Sequence, residues 1–258
     1  VKAKSLVFFD LDGTLLNKQS KVDPAVKEAL AMMKDNGHVP FIATGRSMIE
    51  IQHVLDETVI DSFITLNGQY IQFEGKEVYR SVIPIDIIER VIRMTEEKKV
   101  ALSFYSEDKI RITHHNQNIV DTYAYLHENP PAVDPKLYTK EEILMLLVVT
   151  KNTALDADFR NAFPELSFYR NTPHSIDTIS KGNSKATAID SLIKSTNLFD
   201  IPVYAFGDGP NDIEMIKRAD YGVAMGNGIS EIKEAAQFIT SDHSNGGVIE
   251  GLKQLNLI

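Results

Sequence analysis

Leu6-Val7-Phe8-Phe9-Asp10-Leu11-Asp12-Gly13-Thr14 sets an apolar run directly before two aspartates, a glycine and a threonine. The run reads as a buried strand over Ser5–Phe9. Alternate residues of a strand face the same way. If the extended backbone continues past Phe9, Asp10 and Asp12 aim into one cleft at the carboxyl end of that strand. Two carboxylates buried together without a counterion are costly. The pair therefore asks for a metal ion, a shared proton, or both.

Working outward, strand and helix patterns alternate. Residues 24–36 read as a helix, with Asp23 as N-cap, Pro24 at the first position, a Val26, Leu30, Met33 stripe, and Gly37 as its stop. Strands are expected at 39–43 and 62–66, with a helix at 48–55 between them. The pattern resumes late: a helix at 186–194, a strand at 202–206, a helix at 213–218, a strand at 221–224, a helix at 231–235 and a short strand at 238–240. Strands separated by helix-length segments imply βαβ units and an α/β fold with a mostly parallel sheet. The middle differs. A hairpin over 69–80 turns at Glu74-Gly75, and a helix follows near 86–97. Strand pairs are then expected at 101–105 with 109–113 and at 166–170 with 175–179. Between those pairs lie a helix near 117–126, a strand at 143–149 and a helix at 156–163. Adjacent strand pairs with helices between them suggest an inserted α+β module with an antiparallel sheet, at roughly 83–181.

The chain has 258 residues, 43% hydrophobic and 24% charged, with no cysteine and no tryptophan. That length allows one large domain or two smaller ones, with a substantial core either way. The absence of cysteine excludes disulfides, thiolate metal sites and cysteine nucleophiles, and suits a reducing compartment. The apolar run after Lys4 turns acidic too soon for a signal peptide, and the longest apolar stretch, 143–149, is far below spanning length. A soluble, cytoplasmic protein is expected, a monomer or weak homodimer. A net charge of −9 disfavours nucleic acid and anionic membranes as partners. An anionic substrate would have to be drawn in locally, by a metal and a few cations.

Ligands of open parallel sheets bind beyond the carboxyl ends of the strands. Asp10 and Asp12 follow the first strand, and Thr44-Gly45-Arg46 the second. Gly207-Asp208-Gly209-Pro210-Asn211-Asp212 follows the strand at 202–206. Lys185 immediately precedes the helix at Ala186. The set supplies carboxylates, a hydroxyl, glycine-exposed backbone and two cations, which fits phosphoryl transfer. Aspartate is a nucleophile toward phosphorus. Mg²⁺ prefers a few carboxylates with waters and phosphate oxygens, and it offsets repulsion between an anionic nucleophile and an anionic ester. A second carboxylate can protonate the leaving alkoxide and then take a proton from water.

These four stretches, Asp10-Leu11-Asp12-Gly13-Thr14, Ala43-Thr44-Gly45-Arg46, Lys185 before a helix, and Gly207 through Asp212, resemble in order the motifs of the haloacid dehalogenase-like phosphatases. The insert between the second and third resembles the class IIB cap of the Cof-type sugar phosphatases. The resemblance implies a Rossmann-like core over residues 1–82 and 182–258 and a cap over 83–181. It implies Mg²⁺-dependent hydrolysis of a small phosphorylated metabolite, a sugar phosphate above all, with the cap closing over the cleft. Asp10 would be the nucleophile and a metal ligand. Asp12 would be the general acid and base, with its backbone carbonyl on the metal. Thr44 and Lys185 would bind the phosphoryl group, Lys185 also restraining Asp10. Asp208 would be the third protein ligand, and Asp212 a support behind the metal or an occasional direct ligand. Asn211 would contact phosphate, while Gly45 and Arg46 would lie on the substrate side.

Pro210 fills the variable position of the last motif and stiffens it without removing a ligand. Lys181 competes with Lys185, but falls in a turn. A phosphomutase or phosphotransferase, or a non-catalytic metabolite-binding module of the same fold, are the alternatives. A carbon–halogen hydrolase would not need the acid at Asp12. His114-His115 sit on opposite strand faces and make a poor chelate. Gly226-Asn227-Gly228 lacks dinucleotide and Walker spacing and reads as a loop at the cleft edge. Asn67-Gly68 reads first as a tight turn, with a position near the cap hinge as the functional alternative, and Tyr105, Tyr123 and Tyr125 read as packing.

Overall fold

The computed structural model describes residues 3–258. The core expected from residue 1 therefore starts with two residues, Val1 and Lys2, that lie outside the described part. The chain divides into two compact units. One holds the chain up to Arg46, Glu50–Tyr79 and Ser184–Ile258; the other holds Ser47–Ile49 and Arg80–Asn183.

The first unit is built on strands β1 (Ser5–Phe9), β2 (His38–Ala43), β3 (Ser62–Thr65), β4 (Tyr70–Phe73) and β5 (Lys76–Arg80). Its helices are α1 (Pro24–Asp35) and α2 (Met48–Glu57). The inserted unit contributes β6 (Ala101–Tyr105), β7 (Ile110–Ile112), β8 (Met145–Val149), β9 (Leu166–Thr172) and β10 (Ser175–Ser180), with α3 (Ile85–Glu97), α4 (Gln117–Tyr125) and α5 (Leu155–Ala162). The chain then returns to the first unit with α6 (Lys185–Thr196), β11 (Val203–Gly207), α7 (Ile213–Arg218), β12 (Tyr221–Ala224), α8 (Ser230–Ala235), β13 (Phe238–Ile239) and α9 (Gly247–Gln254).

The first unit's sheet runs β13-β12-β11-β1-β2-β3-β4-β5. Pairing is parallel from β13 to β3 and turns antiparallel where β4 meets β3. β1 sits at the centre, with Phe9 opposite Phe206 on one side and Ile42 on the other. All five of its residues are buried, as a strand covered on both faces requires. Leu6 and Phe8 pack with Ile189 and Leu192 of α6 and Met215 and Ile216 of α7. On the other face Phe9 stacks on Phe206, with ring centroids 5.0 Å apart. Bulk water is thus excluded along β1 up to its carboxyl end, where the first acid follows.

One local expectation needs correcting. Asp23 stands at the N-cap position of α1 with extended backbone, but makes no cap bond. Its carboxylate instead accepts from Asn17 Nδ2 at 2.6 Å. The C-terminal helix α9 forms although Gly246, Gly247 and Gly251 depress helix propensity. Gly251 is there for packing: a Cβ at this position would lie 2.5 Å from Phe206 Cε1.

The inserted unit is an antiparallel sheet in the order β7-β6-β8-β10-β9. Its core joins Leu102, Phe104, Leu146, Val148 and Ile176 of the sheet to Ile88 and Val91 of α3 and Phe159 of α5. Tyr105 and Tyr123 are buried, while Tyr125 is exposed and lies against His174 with rings 4.9 Å apart. No helix among the described residues is long and apolar enough to cross a membrane.

Gly251→Ala sets two effects against each other. Alanine gains about 1 kcal/mol of helix propensity, while overpacking of Phe206 costs about 1–3 kcal/mol. Packing wins in this account, and the melting temperature falls by about 2–4 °C per kcal/mol of net loss. A rise in melting temperature by calorimetry would refute the contact.

Candidate active site

Three parallel strands end side by side and deliver the polar groups. Asp10 follows β1, and its N–H donates to Phe206 O at 3.0 Å, so it leaves the sheet still paired to β11. Asp208 follows β11, and Thr44 follows β2, with its N–H on Ile64 O at 2.9 Å. Lys185 is set by the start of α6. Ser184 caps that helix, accepting from Thr187 N, and Thr187 Oγ1 accepts from Ser184 N in return. The helix expected from Ala186 begins at Lys185 itself. Gly68, at φ +98°, lets the cap approach, since a Cβ there would lie 2.4 Å from Ser184 O.

The Lys185 side chain is fully buried between two carboxylates, with Nζ 2.5 Å from Asp10 Oδ1 and 2.6 Å from Asp212 Oδ1. The other oxygen of Asp212 accepts the backbone N–H groups of Asp208 and Gly209, each at 3.0 Å. Asp208 Oδ1 accepts from Thr14 Oγ1 at 2.8 Å. Asp10, Asp208 and Asp212 each bring a carboxylate oxygen to within 4.8 Å of the others. Three carboxylates thus share one ammonium. Burial, and then the neighbouring Asp212, raise the Asp10 carboxyl well above its ordinary range, despite the opposing pull of Lys185. The same two causes push Asp208 up to about 7. Burial alone would lower Lys185, but Asp10 and Asp212 outweigh it and hold the amine protonated.

Asp12 takes a different direction from the one alternation suggested. Extended geometry ends at Phe9, and residues 11–14 turn. The Asp12 side chain is 59% exposed and lies outside the three-acid group. It forms a bidentate pair with Arg46, Oδ2 to Nε at 2.8 Å and Oδ1 to Nη2 at 2.6 Å. The Asp12 charge still reaches the cluster, adding to the rise at Asp10. Arg46 N donates to Thr44 Oγ1 at 3.1 Å, which fixes the turn through half-buried Gly45. Asn211 Nδ2 donates to Asn67 Oδ1 at 2.9 Å. Lys181 is exposed, and His114 and His115 belong to no metal-capable group among the described residues.

The sequence points to no site role for Thr14 or Asn227, and for Asn67 only to a turn or a position near the cap hinge. Thr14 holds Asp208, Asn67 holds Asn211, and Asn227 Nδ2 donates to Gly13 O at 2.8 Å. Two had a local signal. Thr14 closes the first motif, and Leu66, Asn67 and Gly68 all take positive φ, so the tight turn expected at Asn67-Gly68 is a distorted one. Gly13 also has positive φ, and a Cβ there would lie 2.3 Å from Asp208 Oδ2. No other residue leaves room for that carboxylate.

The donor set fits a divalent cation: hard carboxylate oxygens, mostly buried, with a shortage of positive charge. The family model for haloacid dehalogenase-like hydrolases matches residues 7–252. The chain is 34% identical to YkrA of Bacillus subtilis over 98% of both chains. It is 36% identical to a protein of Geobacillus kaustophilus HTA426, with a TM-score of 0.89 over 99% of this chain and 100% of that one. It is 29% identical to the subclass IIB sugar phosphatase BT4131, with a TM-score of 0.87 over 98% of this chain and 100% of that one. By its fold, its ordered motifs and the family match over nearly its whole length, this chain belongs to the haloacid dehalogenase-like hydrolases.

Proposed function

We propose that the chain is a Mg²⁺-dependent phosphatase acting on small phosphate monoesters, sugar phosphates above all, through a phosphorylated Asp10. The observation that carries this reading is the buried trio Asp10, Asp208 and Asp212 with Lys185 as its one ammonium. Such a site is short of positive charge, yet it belongs to a hydrolase. Bound Mg²⁺ would supply that charge and offset repulsion between carboxylate and phosphate.

On this reading Asp10 and Asp208 hold the metal with the backbone carbonyl of Asp12, and Asp212 supports it. Asp212 already spends both oxygens on Lys185 and on two backbone N–H groups. That favours support over direct ligation. Lys185 holds Asp10 in place and stays protonated, ready to donate to a phosphate oxygen. Thr44 and Asn211 add donors, and Gly45 exposes backbone beside them. An Asp10 oxygen bonds to phosphorus as the ester P–O bond breaks, and Asp12 gives its proton to the departing alkoxide. Water then bonds to phosphorus, Asp12 takes a proton from it, and the Asp10–phosphorus bond breaks. The Arg46 pair has to open for Asp12 to turn toward the leaving oxygen. Arg46 thus lies on the substrate side and governs that movement.

Phosphate release from hexose, pentose and polyol phosphates is expected with Mg²⁺ and is lost with EDTA. Asp10→Asn lowers kcat by about 10³-fold or more. Because the ionised Asp10 is disfavoured by burial, and Lys185 keeps Asp212, this variant is expected to be no less heat-stable without metal. Full turnover by Asp10→Asn would overturn the nucleophile, and isomerised phosphosugar in place of free phosphate would make the chain a mutase.

Proton competition gives a pH test. A metal needs the Asp208 carboxylate ionised, and without metal this group keeps its proton up to about pH 7. Mg²⁺ affinity should therefore fall as pH drops below about 7, by up to about tenfold per unit for one displaced proton. The folded state binds the extra proton between the ordinary carboxylate range and that value. The metal-free protein should thus lose stability as pH rises through this window. Affinity that is flat from pH 5.5 to 8 would contradict the burial argument.

A further inference from the structure

The loop Gly226-Asn227-Gly228 has no part in the chemistry above, yet it is tied to both arms of the acid cluster. Asn227 uses both ends of its amide. Nδ2 donates to Gly13 O at 2.8 Å, and Oδ1 accepts from His243 N at 2.9 Å. The Gly13 carbonyl belongs to the same peptide unit as the Thr14 N–H, which donates to Leu11 O at 3.2 Å. That peptide plane is therefore held at both ends. Its neighbours are what the metal-capable group depends on. Thr14 Oγ1 grips Asp208 at 2.8 Å, and the Gly13 Cα faces the Asp208 carboxylate with no space for a Cβ.

The same loop also reaches Asp208 from behind. Ile229 N donates to Asp208 O at 3.1 Å, and a Cβ on Gly228 would lie 3.3 Å from Asp208 Cα. The loop is in turn fixed to the C-terminal part of the chain. Gly226 N donates to Ser241 O at 3.1 Å, and Lys233 Nζ donates to Gly226 O at 2.7 Å. Asn227 thus sits where the segment after Asp10, the segment carrying Asp208, and the segment before α9 converge.

We propose that Asn227 is a positioning residue: by clamping the Gly13–Thr14 peptide it sets the spacing between the Asp10 and Asp208 carboxylates, and so the affinity of the site for a divalent cation. This rests on the metal reading above. Asn227 touches neither the reacting atoms nor the carboxylates, and works only through the backbone of Gly13. Partners that orient ligands in this way are worth about 10- to 100-fold in metal affinity.

The test measures metal binding apart from turnover, on the full chain. Mn²⁺ binding is followed by EPR and Mg²⁺ binding by calorimetry, for wild type, Asn227→Ala and Asn227→Asp. Asn227→Asp keeps an acceptor for His243 N but turns the donor to Gly13 into an acceptor and adds a negative charge, so Asn227→Ala is the charge-neutral control. Both variants are expected to bind either ion about 10- to 100-fold more weakly. Their phosphate release is expected to recover when metal is raised to saturation, with the loss in the metal requirement and not in kcat. Folded variants that bind metal within about twofold of wild type overturn the proposal. So does failure of both to fold, since Asn227 would then hold the domain together and not the ligand spacing. If wild type binds neither ion, the metal reading itself fails, which is a separate outcome.

Discussion

One ammonium group, Lys185 Nζ, lies buried between the carboxylates of Asp10 and Asp212, and the site around it depends on that contact. Burying a lysine alone would drive off its proton, and burying either acid alone would add one. Together they hold each other. The third acid, Asp208, breaks the balance. Its carboxylate accepts from Thr14 Oγ1, and among the described residues it forms no ion pair of its own. The result is a pocket of oxygen ligands with a fixed charge deficit. Such a pocket takes a small hard cation readily, and the cation in turn makes a phosphate tolerable beside an acid.

The fold builds this deficit by close approach of backbones. β1 is covered on both faces, so Asp10 emerges from a dry sheet and stays shielded. Gly13 lets Asp208 press against the loop after β1, and Gly207 lets Asp212 fold back on the end of β11, where a Cβ would lie 2.6 Å from Asp212 Cβ. Gly68 brings the start of α6, and with it Lys185, against the turn after β3. Gly13 and Gly207 leave room for a carboxylate side chain, and Gly68 leaves room for the backbone that leads into Lys185. Arg46 stands apart from this network, holding Asp12 at the exposed rim.

Much of this was legible in the sequence because it is local. The apolar run into Asp10, the helix–strand alternation and the paired strands of the insert each have a short period that burial enforces. The turn containing Asp208 and Asp212 is likewise a contiguous motif, and Lys185 could be preferred over Lys181 from its place at a helix start. What escaped is of two kinds. One is local geometry that competes with propensity: α9 forms despite its glycines because Gly251 fits against Phe206, and Asp23 surrenders its cap bond to Asn17. The alternation argument also failed at Asp12, because the strand ends one residue before the acids and the chain turns. The other kind is long-range. Asn227 meets Gly13 from 214 residues away, and Asn211 meets Asn67 from 144. Nothing in a short window signals such a bond.

The charge deficit is open to direct measurement by counting protons released when a divalent cation binds. Calorimetry of Mg²⁺ binding in buffers of different ionisation enthalpy gives that count. At pH 6, below the value of about 7 to which Asp208 is raised, about one proton or more should be released per metal ion, and the count should fall as pH rises past that value. Binding with no proton released at pH 6 would mean the acids are already ionised and paid for elsewhere, and would contradict it.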